Sequence, residues 1–389
     1  MDASALIERL ERQLAARAEA GLTRARRTID SAQAPRLVVD GEPMLSFASN
    51  DYLGLASDSS IVAAAQAGAA RWGVGAGASH LVCGHQTPHA GLERRIASYV
   101  APCAASDALL VSSGYLANLA ILTTLADRET TIFADRLNHA CLNDGALLSR
   151  AELVRYPHAD VDALSRSLAA SKARHKVIAT DAVFSMDGDI APLPALLELS
   201  RAYDAWLVVD DAHGFGVLGQ GRGTPAHFAL EGERIVLMGT LGKAAGVAGA
   251  FIAAHRSVIE SIVQFARPYI YTTAAPALLA CALEAALDTL ARADDRRVQL
   301  AMLIERLHAR LEGLRWRLLA SRTPIQPLVV GGNETALALS AMLRERGIFV
   351  PAIRPPTVPE GTARLRISLS SAHSFDDVDE LAEALWSAS

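Results

Sequence analysis

Two short stretches of the 389-residue chain carry side chains that could do chemistry. "VVDDAHGFG" (208–216) ends an apolar run in Asp210, Asp211 and His213, with glycines at once after them. "GTLGKAAG" (239–246) sets Lys243 just past another apolar run, among small residues. Two carboxylates and an imidazole at a strand end suit a metal ion, a hydrolytic nucleophile or an organic cofactor with a basic nitrogen. The lysine stretch fails as a phosphate loop: Ala244 stands where Ser or Thr is needed, and Leu237 where the leading glycine is needed. What remains is an amine at the rim of a sheet, with glycines that let a large group approach the backbone. Such an amine suits imine formation with a carbonyl, against the plain alternative of a surface lysine. An aldehyde cofactor with a pyridine nitrogen would then give Asp210 a task, because an adjacent carboxylate favours the protonated ring. His213 would contact the same cofactor from one side, and Asp211 reads as a turn or helix cap. A metal site at Asp210, Asp211 and His213 lacks further ligands of suitable spacing.

Three other stretches offer partners for such a cofactor. "SSGYLAN" supplies Gly114 and the amides of a helix start, which suit a phosphate. Thr240, three residues before Lys243, adds a hydroxyl. "RLNHACLNDG" places His139 after a turn, where its ring could stack on an aromatic group or simply form a hydrogen bond. "HLVCGHQTPH" gathers His80, Cys83, His85 and His89, but its spacing matches no usual zinc pattern, and it reads as a glycine-rich loop entering a helix.

The elements that must hold these residues follow from the hydrophobic pattern. Short apolar runs, "ALLVSSG", "TTIFAD", "KVIATDAVF", "WLVVDD" and "RIVLMGT", alternate with helix-like stretches. Runs apolar along their whole length belong in a parallel sheet covered on both faces, and ligands of such sheets sit beyond the carboxyl ends of the strands. That rule puts Gly114, Ser185, Asp210 and Thr240 on one rim. Residues 4–27 read as an amphipathic helix ending in a basic patch with Arg24. Residues 277–315 read as long helix with a break near Asp294. A strand "IQPLVV", a helix "ETALALSAMLRERG", a strand "IFVPAI", a strand "RLRISLS" and a closing helix from Asp376 follow. This predicts an α/β chain with an N-terminal helix and arm (1–45), a large domain (46–285) and a smaller C-terminal α/β domain (286–389).

Composition narrows the partners. With 51% hydrophobic and 20% charged residues and a net charge of −5, the chain is a globular protein with no general attraction to nucleic acid or anionic membranes. No apolar run reaches the roughly 18 residues that span a bilayer. Four scattered cysteines and the absence of an apolar leader point to the cytoplasm.

Taken together, "SNDYLGL", "GVGAGAS", "SSGYLAN", "DRLNHACL", "VFSMDGD", "VVDDAHGFG", "GTLGKAAG", "QFARPYIYTT" and "AIRPPTVPEGTARLRISLS" resemble the α-oxoamine synthases. These are pyridoxal-phosphate enzymes of the aspartate-aminotransferase-like fold (fold type I). The resemblance runs in order from residue 49 to about residue 370. It implies that Lys243 binds the cofactor aldehyde, that Asp210 pairs with the pyridine nitrogen and that His139 stacks on the ring. It implies that Ser185 and His213 contact the cofactor or its phenolic oxygen, and that Gly114, Tyr115 and Thr240 serve cofactor and phosphate binding. Arg24 and Thr357 match substrate-contacting positions. Arg366 matches the arginine that holds the amino-acid carboxylate, with Arg354 the weaker match. The activity implied is an acyl transfer in which L-alanine condenses with a pimeloyl thioester, on coenzyme A or a carrier protein, with loss of CO2. Condensation of glycine with acetyl-CoA or succinyl-CoA is the alternative inside the family, and a metal-dependent hydrolase is the alternative outside it. The family implies a homodimer. The chain departs from the family's pattern at Asp181, where Glu is usual, and at Ala182 and the residues flanking Lys243.

Overall fold

The computed structural model describes residues 3–389, which form two compact units. One comprises residues 50–185 and 189–299; the other comprises, among the described residues, 3–49, 186–188 and 300–389.

The first unit is built on a seven-stranded sheet. Its spatial order is Ser106–Val111, Ala250–His255, Ile235–Thr240, Ala205–Asp210, His175–Asp181, Thr130–Asp135 and Glu152–Tyr156. All pairings are parallel except the two made by Ala250–His255, which runs antiparallel to both neighbours. The central strands are buried along almost their whole length, as their unbroken apolar runs require when helices cover both faces. One core forms where Gly114–Leu125 packs, with Ala117, Ala120 and Ile121 against Val208, Val236 and Ile252. This arrangement is the mainly parallel sheet expected from the apolar runs, and it agrees with the aspartate-aminotransferase-like architecture that the resemblance implies.

The antiparallel strand Ala250–His255 was not marked by the sequence pattern. Half of "AFIAAH" is alanine, which favours helix and is depleted in strands. It fits because Gly239 lies against the Phe251 ring; a Cβ there would sit 2.3 Å from Cζ.

The second unit holds two smaller sheets. Arg36–Val39 and Glu42–Ser46 form a hairpin, and Ile348–Phe349 joins it in parallel. The other sheet runs Arg317–Leu318, Ile325–Gly331, Ala363–Ser368, Ala352–Ile353, all antiparallel. The stretch "IFVPAI", read as one strand, is therefore two short pieces in different sheets. The first helix, Ala3–Glu19, stops short of the expected residue 27, because Gly21 turns the backbone to φ +64°. Residues 22–28 continue without helical structure. The expected long helix is two helices, Ala277–Leu290 and Asp294–Arg310, broken where the pattern placed the break.

Candidate active site

The parallel strands of the large sheet finish at one rim, and all but the edge strand Glu152–Tyr156 lead into residues that meet in the same place. A cavity of about 190 Å³ opens there. Gly114, Tyr115, His139, Ser185, Asp210, His213, Thr240 and Lys243 line it, together with Cys141, Asp181, Ala212 and Met238. All eight residues expected at the cofactor are thus in one wall, although they span 130 positions of sequence. Arg24, Thr357 and Arg366 belong to the other unit.

Each side chain is held by its own local structure. Asp210 is the last residue of its strand and is buried. Its Oδ2 accepts from Nδ2 of Asn118 at 2.7 Å, and its Oδ1 accepts from the Ala212 amide at 3.0 Å, so the carboxylate is fixed in direction. His139 caps the helix Ala140–Ser149. Its Nδ1 lies 2.8 Å from Sγ of Cys141, and its amide donates to the Asp181 carboxylate at 3.1 Å. Ser113 caps the helix Gly114–Leu125, and the amides of that helix's first turn have no partner within it. Tyr115 donates its phenol proton to Asp144. Thr240 donates to the Gly249 carbonyl at 3.2 Å.

Lys243 follows its strand in a tight loop, and Nζ lies 2.8 Å from Nε2 of His213. The chain has only three lysines. Lys172 is exposed, and Nζ of Lys176 donates to the Ala173 carbonyl at 3.4 Å. Lys243 alone reaches the cavity. Two glycines let its loop pack so closely. A Cβ on Gly246, whose φ is +72°, would stand 2.5 Å from the backbone carbon of Leu55. One on Gly216 would stand 2.6 Å from Cβ of Ala244.

Burial and charge set the protonation of the acids behind the rim. Burial, followed by the nearby Asp210 carboxylate, raises Asp181 well above the usual carboxylate range. Burial pushes Asp211 up to about 7, against two bonds from Thr224 that favour its ionised form. Those bonds, 2.7 Å from the amide and 2.5 Å from the hydroxyl, tie Asp211 to a segment thirteen residues further on rather than to the turn it begins. Burial pushes the Cys141 thiol up to about 12, so it stays neutral. No group of three or more His, Cys, Asp or Glu among the described residues could hold a metal ion. The histidine-rich stretch instead turns through His80–Gly84 into the helix Thr87–Val100, with His80 stacked on Tyr269.

Sequence reasoning did not place Asn118, Cys141 or Met238 at the site, and marked Asp181 only as a departure. Asn118 did leave a signal: it is the one amide in the apolar helix "YLANLAILTTLA", and such a residue must find a buried partner.

In the second unit, Arg366 is buried in the strand Ala363–Ser368 and donates to Oγ of Ser368 at 2.8 Å. Arg24 and Thr357 are exposed. Arg354 donates to the carbonyls of Gly21 and Thr23, tying the Arg24 segment to the Thr357 segment.

The lining fits pyridoxal phosphate by its donor set. An aldehyde needs an amine, a pyridine nitrogen a directed carboxylate, and a phosphate free amides at a helix start. The cavity wall carries one of each.

A lysine and a directed aspartate at the rim of such a sheet define a class of cofactor-dependent enzymes, and the chain belongs to it: the Aminotransferase class I and II family model matches residues 42–385. Within that family it is similar to 8-amino-7-oxononanoate synthase of Nitrosospira multiformis, at 57% identity over 379 residues, 97% of this chain and 95% of that protein. The 8-amino-7-oxononanoate synthase of Azoarcus sp. is 56% identical, with 98% and 97% covered. Among solved structures, a Sphingomonas wittichii serine palmitoyltransferase superposes with a TM-score of 0.92 at 28% identity, covering 100% of this chain and 98% of that one. An 8-amino-7-oxononanoate synthase from Francisella tularensis gives 0.76 at 31%, covering 89% and 97%. No described helix is long and apolar enough to cross a membrane.

Proposed function

We propose that this chain condenses L-alanine with a pimeloyl thioester, on coenzyme A or a carrier protein, releasing CO2 and the free carrier and leaving 8-amino-7-oxononanoate. One observation carries the reading. Lys243, Asp210, His139 and His213 line a single cavity in a chain 57% identical, over 97% of its length, to a synthase of that product. The cofactor is pyridoxal phosphate, which when bound supplies a protonated pyridine ring that draws the electron pair from the substrate's α-carbon.

The chain's own residues do the rest. Lys243 would hold the cofactor by its aldehyde carbon, and its amine would be the group that takes and returns the proton at the substrate's α-carbon. Asp210 keeps the ring nitrogen protonated, since an adjacent carboxylate favours the cation. His139 covers one face of the ring, and Ser185 and His213 reach its phenolic oxygen. The amides of Gly114 and Tyr115, with the Thr240 hydroxyl, take the phosphate. Arg366 takes the alanine carboxylate through paired N–H donors, and Arg24 and Thr357 contact substrate. The enzyme works as a homodimer in the cytoplasm.

The test is a substrate matrix, with alanine or glycine set against pimeloyl-, acetyl- and succinyl-CoA. Fastest release of thiol and CO2 together, from alanine with the pimeloyl thioester, is the expected result. Preference for glycine with either short thioester would overturn the assignment in favour of a glycine-using relative. Loss of activity on chelation, in a protein without visible absorbance, would favour the metal-dependent hydrolase.

A further inference from the structure

Tyr52 takes no part in the chemistry assigned above, yet it is fully buried and its phenol points at the lysine's partner. Its oxygen lies 2.6 Å from Nδ1 of His213, and the other ring nitrogen, Nε2, lies 2.8 Å from Nζ of Lys243. The same phenol donates to Oδ1 of Asn50 at 3.1 Å. A phenol has one proton and can accept as well as donate. With that proton directed to Asn50, the short contact to His213 is made by an Nδ1–H donating to the phenol oxygen. Neutral imidazole carries one N–H, and the bond at one nitrogen decides the state of the other. Nε2 is then the bare nitrogen, and it accepts from Lys243.

The surrounding backbone is built to keep this chain in line. The Asp51 carboxylate accepts the amides of Leu55 and Ala56 at 2.8 and 3.0 Å, which folds residues 51–56 into a fixed turn around Tyr52. Arg296 clasps that turn from outside through the Leu53 carbonyl, at 2.7 Å. The lysine loop presses on the same turn at Gly246, and the histidine turn presses on the lysine loop at Gly216. Three segments distant in sequence therefore meet with no space to shift, and each contributes one member of the chain of bonds.

We propose that Tyr52 is a positioning residue for Lys243, acting through His213: it holds the imidazole as the Nδ1–H form, so that Nε2 orients the lysine amine and can take its proton. The proton accounting is simple. An ammonium on Lys243 passes one proton to Nε2, giving a neutral amine with a free electron pair and an imidazolium whose Nδ1–H still rests on the phenol. The amine is then ready to attack a carbonyl carbon. This inference rests on the role given to Lys243 under the proposed function, and the test separates the two.

The full chain is prepared with ring-15N histidine, free of cofactor, and His213 is assigned among the eleven histidines by loss of its signals in His213→Gln. The wild type is expected to show a protonated Nδ1 and a bare Nε2, and Tyr52→Phe, which keeps the ring and removes only the hydroxyl, is expected to release that preference. Adding pyridoxal phosphate and following the visible band should show slower uptake in Tyr52→Phe by about 5- to 10-fold, the worth of roughly one hydrogen bond. A wild-type His213 protonated at Nε2 overturns the proposal without any variant. So does a Tyr52→Phe protein with the wild-type tautomer. Lys243→Ala is run beside them: if its visible band survives, the assignment of Lys243 fails, whatever the tautomer of His213.

Discussion

Replacing Asn118 by alanine should separate the stability of this protein from its chemistry. Asn118 is fully buried, and Nδ2 donates to Oδ2 of Asp210 at 2.7 Å. A hydrogen bond to a charged acceptor contributes about 1.5–3 kcal/mol. The other end of the same amide, Oδ1, is buried with no partner among the described residues, and an orphaned acceptor costs about 1–3 kcal/mol. Alanine removes both, together with the Nδ2 bond to Sγ of Cys141 at 3.0 Å, so the relief of the orphan offsets the loss only in part, and the global stability should fall by about 1–2 kcal/mol. They do not offset at the active site. Asp210 loses the short donor that fixes Oδ2 and keeps the Ala212 amide and a 4.0 Å contact from Sγ of Cys141, so it can turn away from the ring nitrogen it is proposed to face. If the bond's full worth is felt there, kcat falls by roughly 10- to 100-fold, at about 1.36 kcal/mol per decade. Steady-state kinetics at saturating cofactor, beside a denaturant melt of the same preparation, gives both numbers. A kcat within twofold of wild type would show that Asn118 does not direct Asp210, and so would a stability loss large enough to explain the lost activity.

Other perturbations follow from the packing and the titrating groups. Gly246→Val forces a β-branched residue into φ +72° with its Cβ 2.5 Å from the Leu55 backbone, and should cost about 3 kcal/mol or more in chemical denaturation; a near-neutral melt would show that the lysine loop does not press on that turn. His158 bridges Asp135 at 3.1 Å and Asp189 at 2.9 Å, and those two carboxylates, Asp135 foremost, raise it to about 10. Its raised pKa contributes stability that is whole below the unfolded value near 6.5 and is lost as pH rises through about 10. Melts of wild type and His158→Gln should therefore converge between about pH 7 and 10; parallel curves would contradict this. Asp211 runs the other way for an acid. Burial lifts it to about 7, so the folded state binds the proton more tightly, and stability from this residue falls as pH rises from about 4 to 7. Asp211→Asn should flatten that slope in pH-dependent melts, and an unchanged slope would remove Asp211 as its source.

What could be read from the sequence divides by how local the cause is. "WLVVDD" and "RIVLMGT" announce buried strands, because only a sheet covered on both faces uses apolar residues at every position. Asp210 and Lys243 follow directly from those strand ends. "ELVRY" gave no such signal, since Glu152–Tyr156 lies at the sheet edge and is partly exposed. Ile348–Phe349 and Ala352–Ile353 read as one strand, because nothing in six residues records that their partners are Glu42–Ser46 and Ala363–Ser368. The site's second layer was hidden for the same reason. Asn118 meets Asp210 across 92 positions and Tyr52 meets His213 across 161, so each contact exists only once the sheet has formed. A polar residue inside an apolar run shows that a buried partner must exist; tertiary structure alone shows which one.

Of the three lysines in this chain, Lys243 is the one proposed to bind the cofactor. Reduction of the loaded enzyme with borohydride, followed by proteolysis and mass mapping, reads it directly. The pyridoxyl mass is predicted on the peptide holding Lys243, in proportion to the visible band lost. The same mass on Lys172 or Lys176, or none on any lysine of an enzyme that turns over, would contradict it.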